Sequence, residues 1–303
     1  MIIVTATTDP IRALPTLRSW GDTRLIVVVN GSEVTLRHEL PQARWICHPE
    51  ILGTVPAFAI GVQAALEEGA DTIACLHDDL EIHDSNVWPI VHTFFLQHPR
   101  AGLVGFGGGR GLGDPDLYQK PYHPMSLARK DFISNMVDAE SHGRRVTVPT
   151  RVACLDGFSQ IGRAAYWRGR TVVDGVLDDL NDMQGLLDAT PGNLFGLMAS
   201  WGVIHHFYDG MLGAFAKKLG WEAWMLPIRC RHLGGQTAVG DPRYQQWASL
   251  QPRYQYEDEH GWTEAKGDQA FWIAAHRIGY ELFRGILPIT IEEIEGHAAT
   301  HSV

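Results

Sequence analysis

Short apolar segments and polar breaks alternate at regular intervals through the first hundred residues. Residues 2–5 are a β-branched run closed by Thr7-Thr8-Asp9-Pro10, and residues 11–20 carry Ile11, Leu14 and Leu17 at helical spacing. The cycle then repeats. Residues 25–29 form an apolar strand ended by Asn30-Gly31, and residues 43–47 form a third strand. Residues 56–68 read as a helix with Phe58, Val62, Ala65 and Leu66 on one face and Gly69 as its stop. Residues 72–76, 87–97 and 102–106 add a strand, a helix and a strand. A strand that is apolar at every position is covered on both faces, so the pattern predicts an α/β sandwich around a mostly parallel sheet. In such sheets ligands gather beyond the carboxyl ends of the strands. Those ends are residues 7–9, Asn30-Gly31, residues 77–81 and the glycine-rich stretch 105–113. The last is expected to be a flexible loop, because its glycines fit G-x-G-x-x-G in no register.

Composition narrows the class. The 303 residues are 45% apolar and 10% aromatic, enough for a sizeable core, and a net charge of −10 argues against a surface that coats nucleic acid. Apolar runs stay far below the roughly 20 residues that span a bilayer, and residues 1–10 lack a basic-then-apolar leader, so a cytoplasmic protein without a transmembrane segment is expected. Cys47, Cys75, Cys154 and Cys230 are widely spaced and contain no C-x-x-C, which reads as reduced, mostly buried thiols. G-x-x-x-x-G-K-[ST] and H-E-x-x-H are absent. Gly157-Phe158-Ser159-Gln160-Ile161 misses G-x-S-x-G at its last position, which sets α/β-hydrolase chemistry aside.

Candidate chemistry centres on C-L-H-D-D-L-E-I, residues 75–82. His77, Asp78 and Asp79 follow directly on an apolar strand, so they face a cleft or solvent. Carboxylates at that point suit Mn²⁺ or Mg²⁺ holding a diphosphate, while capping of a turn is the plainer role for the two aspartates. Further along come Asp156-Gly157, then Asp209 ahead of a helix ending Lys217-Lys218-Leu219-Gly220, then His232 near Gly234-Gly235.

In this order the segments resemble the GT-A glycosyltransferases, especially the family-2-like enzymes, over about residues 2–235. The resemblance implies a GT-A (Rossmann-like) fold with a mixed, mostly parallel sheet. It also implies a nucleoside-diphosphate-sugar donor, a DxD-type motif and Mn²⁺ or Mg²⁺. Asp79 stands at the last motif position and would bind the metal, with His232 as second ligand. His77 occupies the first position, where the family carries Asp, and with Asp78 would serve donor binding. Asp209 would be the base of an inverting transfer, unless it is simply a helix N-cap. Thr7, Asp9 and Asn30 would meet the base and ribose, Gly53 the donor, and Asp156 the transferred sugar or the acceptor, although Asp-Pro and Asn-Gly are also turn dipeptides. The acceptor could be a glycan, a lipid-linked sugar, a protein or a modified nucleic-acid base. A nucleotidyltransferase of related architecture finds no support in Ala6-Thr7-Thr8, which offers neither Gly nor Lys. A non-catalytic nucleotide- or carbohydrate-binding protein is the remaining alternative.

On this reading residues 1–240 are the catalytic domain and residues 241–303 a helical extension with a helix over 269–282. The extension is expected to pack on that domain or on a second copy of the chain, forming a homo-oligomer. Lys and Arg outnumber acids between Lys120 and Arg170, a face for an anionic ligand or for solvent, and residues 174–188 form an acidic, acceptor-side stretch. Trp201, Trp221 and Trp224 serve either as sugar platforms or as packing.

Overall fold

Alternation within the apolar runs decides the layers. In the computed structural model, which describes residues 1–113, 132–137, 143–173, 176–178, 192–234, 240–250, 254–258, 261–265, 268–283 and 285–294, the first strand is β1 (Ile2–Thr7). Ile2 and Val4 point to one apolar cluster and Ile3 to another, so both faces of β1 are covered. α1 (Pro10–Ser19) follows, capped by the Asp9 carboxylate, which accepts from the Ile11 and Arg12 N–H groups. Then come β2 (Leu25–Asn30), β3 (Ala43–His48), α2 (Thr54–Glu67), β4 (Thr72–Leu76), β5 (Leu80–Ile82) and α3 (Val87–Gln97).

The chain continues through β6 (Ala101–Gly105), β7 (Gly107–Gly109), β8 (Phe132–Ser134), β9 (Thr150–Val152), β10 (Cys154–Leu155) and β11 (Ser159–Arg163). α4 (Ala164–Trp167), β12 (Thr171–Val173), β13 (Val176–Asp178), α5 (Leu194–Ser200), α6 (Tyr208–Lys218), β14 (Glu222–Met225) and β15 (Cys230–His232) complete the body. The C-terminal part holds α7 (Pro242–Ser249), β16 (Tyr254–Asp258), β17 (Gly261–Ala265) and α8 (Asp268–Phe283).

The main sheet has the order β3-β2-β1-β4-β11-β6-β14-β9. β3, β2, β1 and β4 are mutually parallel, as are β6 and β14, while β11 runs antiparallel between the two groups. The expected mixed, mostly parallel α/β sandwich is therefore present. α2, α5 and α6 cover one face through Phe58, Phe195 and Phe215, and α1 and α3 cover the other through Leu17 and Phe94. Among the described residues no helix is long and apolar enough to cross a membrane. The four cysteines are free thiols, three of them buried.

Two expectations change. The stretch 105–113 is no flexible loop, since β7 lies buried between β8 and β10. Its glycines serve close approach: a Cβ on Gly108 would meet the Cys154 carbonyl at 2.4 Å. The C-terminal extension contains a hairpin, β16–β17, as well as helices. Its only alternation is the short Tyr254-Gln255-Tyr256-Glu257 among polar and acidic residues, too brief to mark a strand.

The extension also shares the main core. Phe283 is 1% exposed and meets Phe215 edge-on at 5.1 Å, and Ile289 joins the same cluster and bridges to Leu112. Phe283→Ala is expected to lower the unfolding free energy by about 3–5 kcal/mol, the usual cost of truncating a core Phe. Urea unfolding of the full chain measures it, and a loss below about 1 kcal/mol would mean that the extension stands apart from the core.

Candidate functional site

β4 is buried from Ile73 to Leu76, and the chain leaves the sheet at His77. Two strand registers then determine what His77 and Asp79 meet. β11 pairs with β4 so that Ser159 lies opposite Leu76, which brings the turn Asp156-Gly157 to the carboxyl end of β4. The His77 N–H donates to the Phe158 carbonyl at 3.1 Å. β5 begins directly after Asp79 and pairs antiparallel with β15, so that His232 stands opposite Leu80. The Leu233 N–H reaches the Asp79 carbonyl at 3.4 Å and closes that ribbon.

Three side chains converge as a result. His77 Nδ1 lies 3.3 Å from His232 Nε2, and His232 Nε2 lies 3.2 Å from Asp79 Oδ1. The donor atoms of His77, Asp79 and His232 all fall within 4.8 Å of one another. Ligands at about 2.2 Å from a shared ion stand about 3.1–3.6 Å apart at adjacent octahedral or tetrahedral positions, so this spacing fits a divalent cation. Phe58 stacks near His77 at 6.4 Å and Phe158 lies 4.8 Å from His232, giving the group apolar walls.

Protonation follows from these contacts. Burial, then the neighbouring His232, pushes His77 down to about 4, so its imidazole is neutral at pH 7. For His232, burial acts downward but the hydrogen bond and charge of Asp79 outweigh it and the pKa rises. Asp79 is the counterpart: burial acts upward, the His232 contacts outweigh it, and the carboxyl sits below its ordinary value. A neutral imidazole and an ionised carboxylate are the forms a cation needs, and at His232 a cation competes with the proton that Asp79 favours.

A second group lies against the first. Tyr208 is buried, its hydroxyl 2.8 Å from His77 Nε2 and 3.1 Å from the Gly157 carbonyl. Asp209 is the second residue of α6 and is not its cap. The cap position belongs to Phe207, whose φ of 58° is left-handed backbone that a bulky residue rarely adopts. Asp209 Oδ1 accepts from the adjacent Gly210 N–H at 2.8 Å. Burial, then the charge of Asp156, raises the Asp209 carboxyl to about 6. Asp156 also acts on His232, so its charge reaches both groups. Asp156 Oδ1 accepts from the Phe158 N–H at 3.3 Å.

The remaining candidates lie at the ends of β1 and β2. Asn30 engages both ends of its amide: Nδ2 donates to the Gly53 carbonyl at 3.3 Å and Oδ1 accepts the Leu52 N–H at 2.7 Å. Gly53 has a φ of 91°, and a Cβ there would strike Ile204 Cγ2 at 2.4 Å. Thr7 Oγ1 accepts the Asp9 N–H at 3.1 Å, and Asp9 itself caps α1. Asp78 is pushed up to about 6 by burial, with the Thr7 hydroxyl and Arg12 partly offsetting it. Its Oδ2 is buried without a hydrogen bond, 3.7 Å from Arg12 Nη2. Arg243 of α7 reaches the same strand end, donating to the Thr8 carbonyl at 2.7 Å.

Trp201 stacks on Phe215 at 5.9 Å, Trp221 donates its indole N–H to the Arg170 carbonyl at 2.7 Å, and Trp224 meets Phe94 edge-on at 5.5 Å. Gly235, Lys120, Arg129, Lys130, residues 296–303 and most of the acidic stretch 174–188 lie outside the described residues. Tyr208 is not among the residues that the sequence singles out, because an aromatic residue beside an aspartate is too common a pair to stand out.

No protein-family model matches this chain, and no curated protein sequence matches it significantly. Several solved structures align with parts of it. S. aureus TarS (residues 1–349) aligns with a TM-score of 0.41 at 9% identity, covering 75% of this chain and 59% of that one. Galactosyltransferase LgtC, solved with donor and acceptor sugar analogues, aligns with a TM-score of 0.33 at 15% identity, covering 71% and 70%. Mannose-1-phosphate geranyltransferase from Thermus thermophilus aligns with a TM-score of 0.29 at 20% identity, covering 36% and 44%. The chain thus spans less than two thirds of TarS and of the Thermus protein.

Because only the fold brings the three donors together, an ion that they bind stabilises the native state over the unfolded chain. Titration with Mn²⁺ is expected to raise the Tm of the chain, and Asp79→Ala to remove that response. An unchanged shift in the variant would mean that the ion binds elsewhere.

Proposed function

We propose that the chain is a metal-dependent glycosyltransferase that moves a sugar from a nucleoside-diphosphate sugar to an acceptor hydroxyl with inversion. The observation that carries this reading is the pairing of two chemically different groups at one strand end. One is the His77–Asp79–His232 donor set; the other is a buried carboxyl, Asp209, with a raised pKa. The order of motifs along the chain, which resembles the GT-A enzymes, supports the same assignment.

A bound divalent cation would supply charge neutralisation for the departing diphosphate. Two imidazoles and one carboxylate favour a transition ion such as Mn²⁺ over Mg²⁺, which prefers an all-oxygen shell. His77, Asp79 and His232 hold the ion in this reading, so His77 serves as a ligand rather than only as a donor contact. Asp78, with Arg12 and Thr7 beside it, faces the ribose side, and Asn30 and Gly53 shape the wall next to it. Asp156, whose charge acts on both His232 and Asp209, meets the transferred sugar in this reading.

Asp209 takes the proton of the acceptor hydroxyl as that oxygen attacks the anomeric carbon. A carboxyl held near 6 is a stronger base than an ordinary aspartate yet is ionised at neutral pH. Its folded pKa lies above the usual value, so ionisation opposes folding as pH rises through about 6, the behaviour of a group kept for chemistry rather than stability.

Transfer is therefore expected to rise with pH through about 6 and to level off above it. Asp209→Asn should keep donor and Mn²⁺ affinity, lose transfer by about two to four orders of magnitude, and show no fall in Tm at pH 7.5. Rates of donor turnover with Mn²⁺, donor affinity and thermal melts on the same variant check all three. Near-normal transfer would overturn the base assignment.

A further inference from the structure

We infer that Tyr208 is a positioning residue that sets the His77 tautomer and thereby prepares the ion site; this rests on reading His77, Asp79 and His232 as that site. The inference comes from counting protons along a short chain of contacts. The Gly157 carbonyl can only accept, and the Tyr208 hydroxyl, 3.1 Å away, donates to it. A phenol has one proton. With that proton committed, the Tyr208 oxygen can only accept from His77 Nε2 at 2.8 Å, so the imidazole carries its hydrogen on Nε2. Its lone pair then lies on Nδ1, the atom that faces His232 Nε2 at 3.3 Å, on the side where His77 groups with His232 and Asp79.

The surroundings leave this arrangement few substitutes. Tyr208 is 6% exposed, and its ring packs against Phe58 at 6.3 Å and Phe195 at 5.7 Å. Gly157 is part of the same device, because a Cβ there would meet the Tyr208 hydroxyl at 2.5 Å and push it off the carbonyl. A ligand histidine is commonly fixed by a carboxylate or carbonyl on its far nitrogen. Here the carbonyl acts through a phenol, one residue before the proposed base.

Tyr208→Phe keeps the ring and removes the acceptor. The His77 Nε2–H then loses its acceptor, and the tautomer with its proton on Nδ1, on the side of His232, becomes the favoured one. That proton occupies the position the ion needs. Affinity for Mn²⁺ alone, measured by calorimetry on the full chain, is expected to fall about tenfold to a hundredfold in Tyr208→Phe. Long-range ¹⁵N–¹H spectra of the metal-free protein should show His77 protonated at Nε2 in the wild type and at Nδ1 in the variant.

Equal Mn²⁺ affinity in a folded Tyr208→Phe would overturn the positioning role. So would a wild-type spectrum with the His77 proton on Nδ1, a result that needs no variant to fold. A wild-type chain that binds neither Mn²⁺ nor Co²⁺, yet shows His77 protonated at Nε2, would overturn the ion site and leave the Tyr208 contact as a hydrogen bond without that purpose.

Discussion

Ser159–Arg163 hydrogen-bonds to β4 on one side and to β6 on the other, antiparallel to both, and the site depends on that reversal. Were it parallel like its neighbours, the turn before it would sit at the amino ends of the strands, far from His77. Reversal carries Asp156-Gly157 to the carboxyl end of β4 and, through the Gly157 carbonyl, gives Tyr208 its anchor. The turn is clamped from within the core. Gln160, fully buried, donates its amide to the Leu155 and Asp156 carbonyls at 2.9 and 3.3 Å. At the other end of the strand, Trp167 donates to the Ile73 carbonyl at 3.2 Å and locks the register. A polar residue at a position that is otherwise apolar is thus the price of a fixed turn.

Charge is distributed unevenly around that turn. Asp79 is balanced by His232 and Asp78 in part by Arg12, whereas the carboxylate of Asp156 adds to the cost of ionising buried Asp209. Buried like charges are tolerated where something else gains from them. A divalent cation with its anionic ligand on one side and an acceptor hydroxyl on the other would use both kinds of group. The left-handed Phe207 backbone is a second local strain in the same few residues, and it sets the direction in which Tyr208 and Asp209 leave the first turn of α6.

Most strands and helices of the first hundred residues were legible because β1, β2 and β4 are apolar throughout and α2 is stopped at Gly69, whereas the three-residue β5 is too short and too polar to show a pattern. The stretch 105–113 was not, because its glycines are chosen for contact with β10 rather than for freedom, and composition cannot tell the two apart. Asp79 and His232 could be singled out from order along the chain. Their meeting with His77 at ligand spacing could not, since it depends on the β5–β15 and β4–β11 registers, which no local pattern specifies. The cap that Asp209 resembled in sequence belongs instead to Phe207, a choice made by packing around α6.

The β5–β15 ribbon has three residues in each strand, and a two-stranded ribbon of that size is marginal by itself. Its inner end is where His232 meets His77 and Asp79, residues separated by more than 150 positions in the chain. Fraying of the ribbon therefore withdraws one of the three donors while the rest of the sheet stays intact. An ion held there would couple its occupancy to closure of the ribbon, so that exchange of the ribbon amides with solvent water would slow in step with binding while those of β1 and β4 keep the pace of global unfolding.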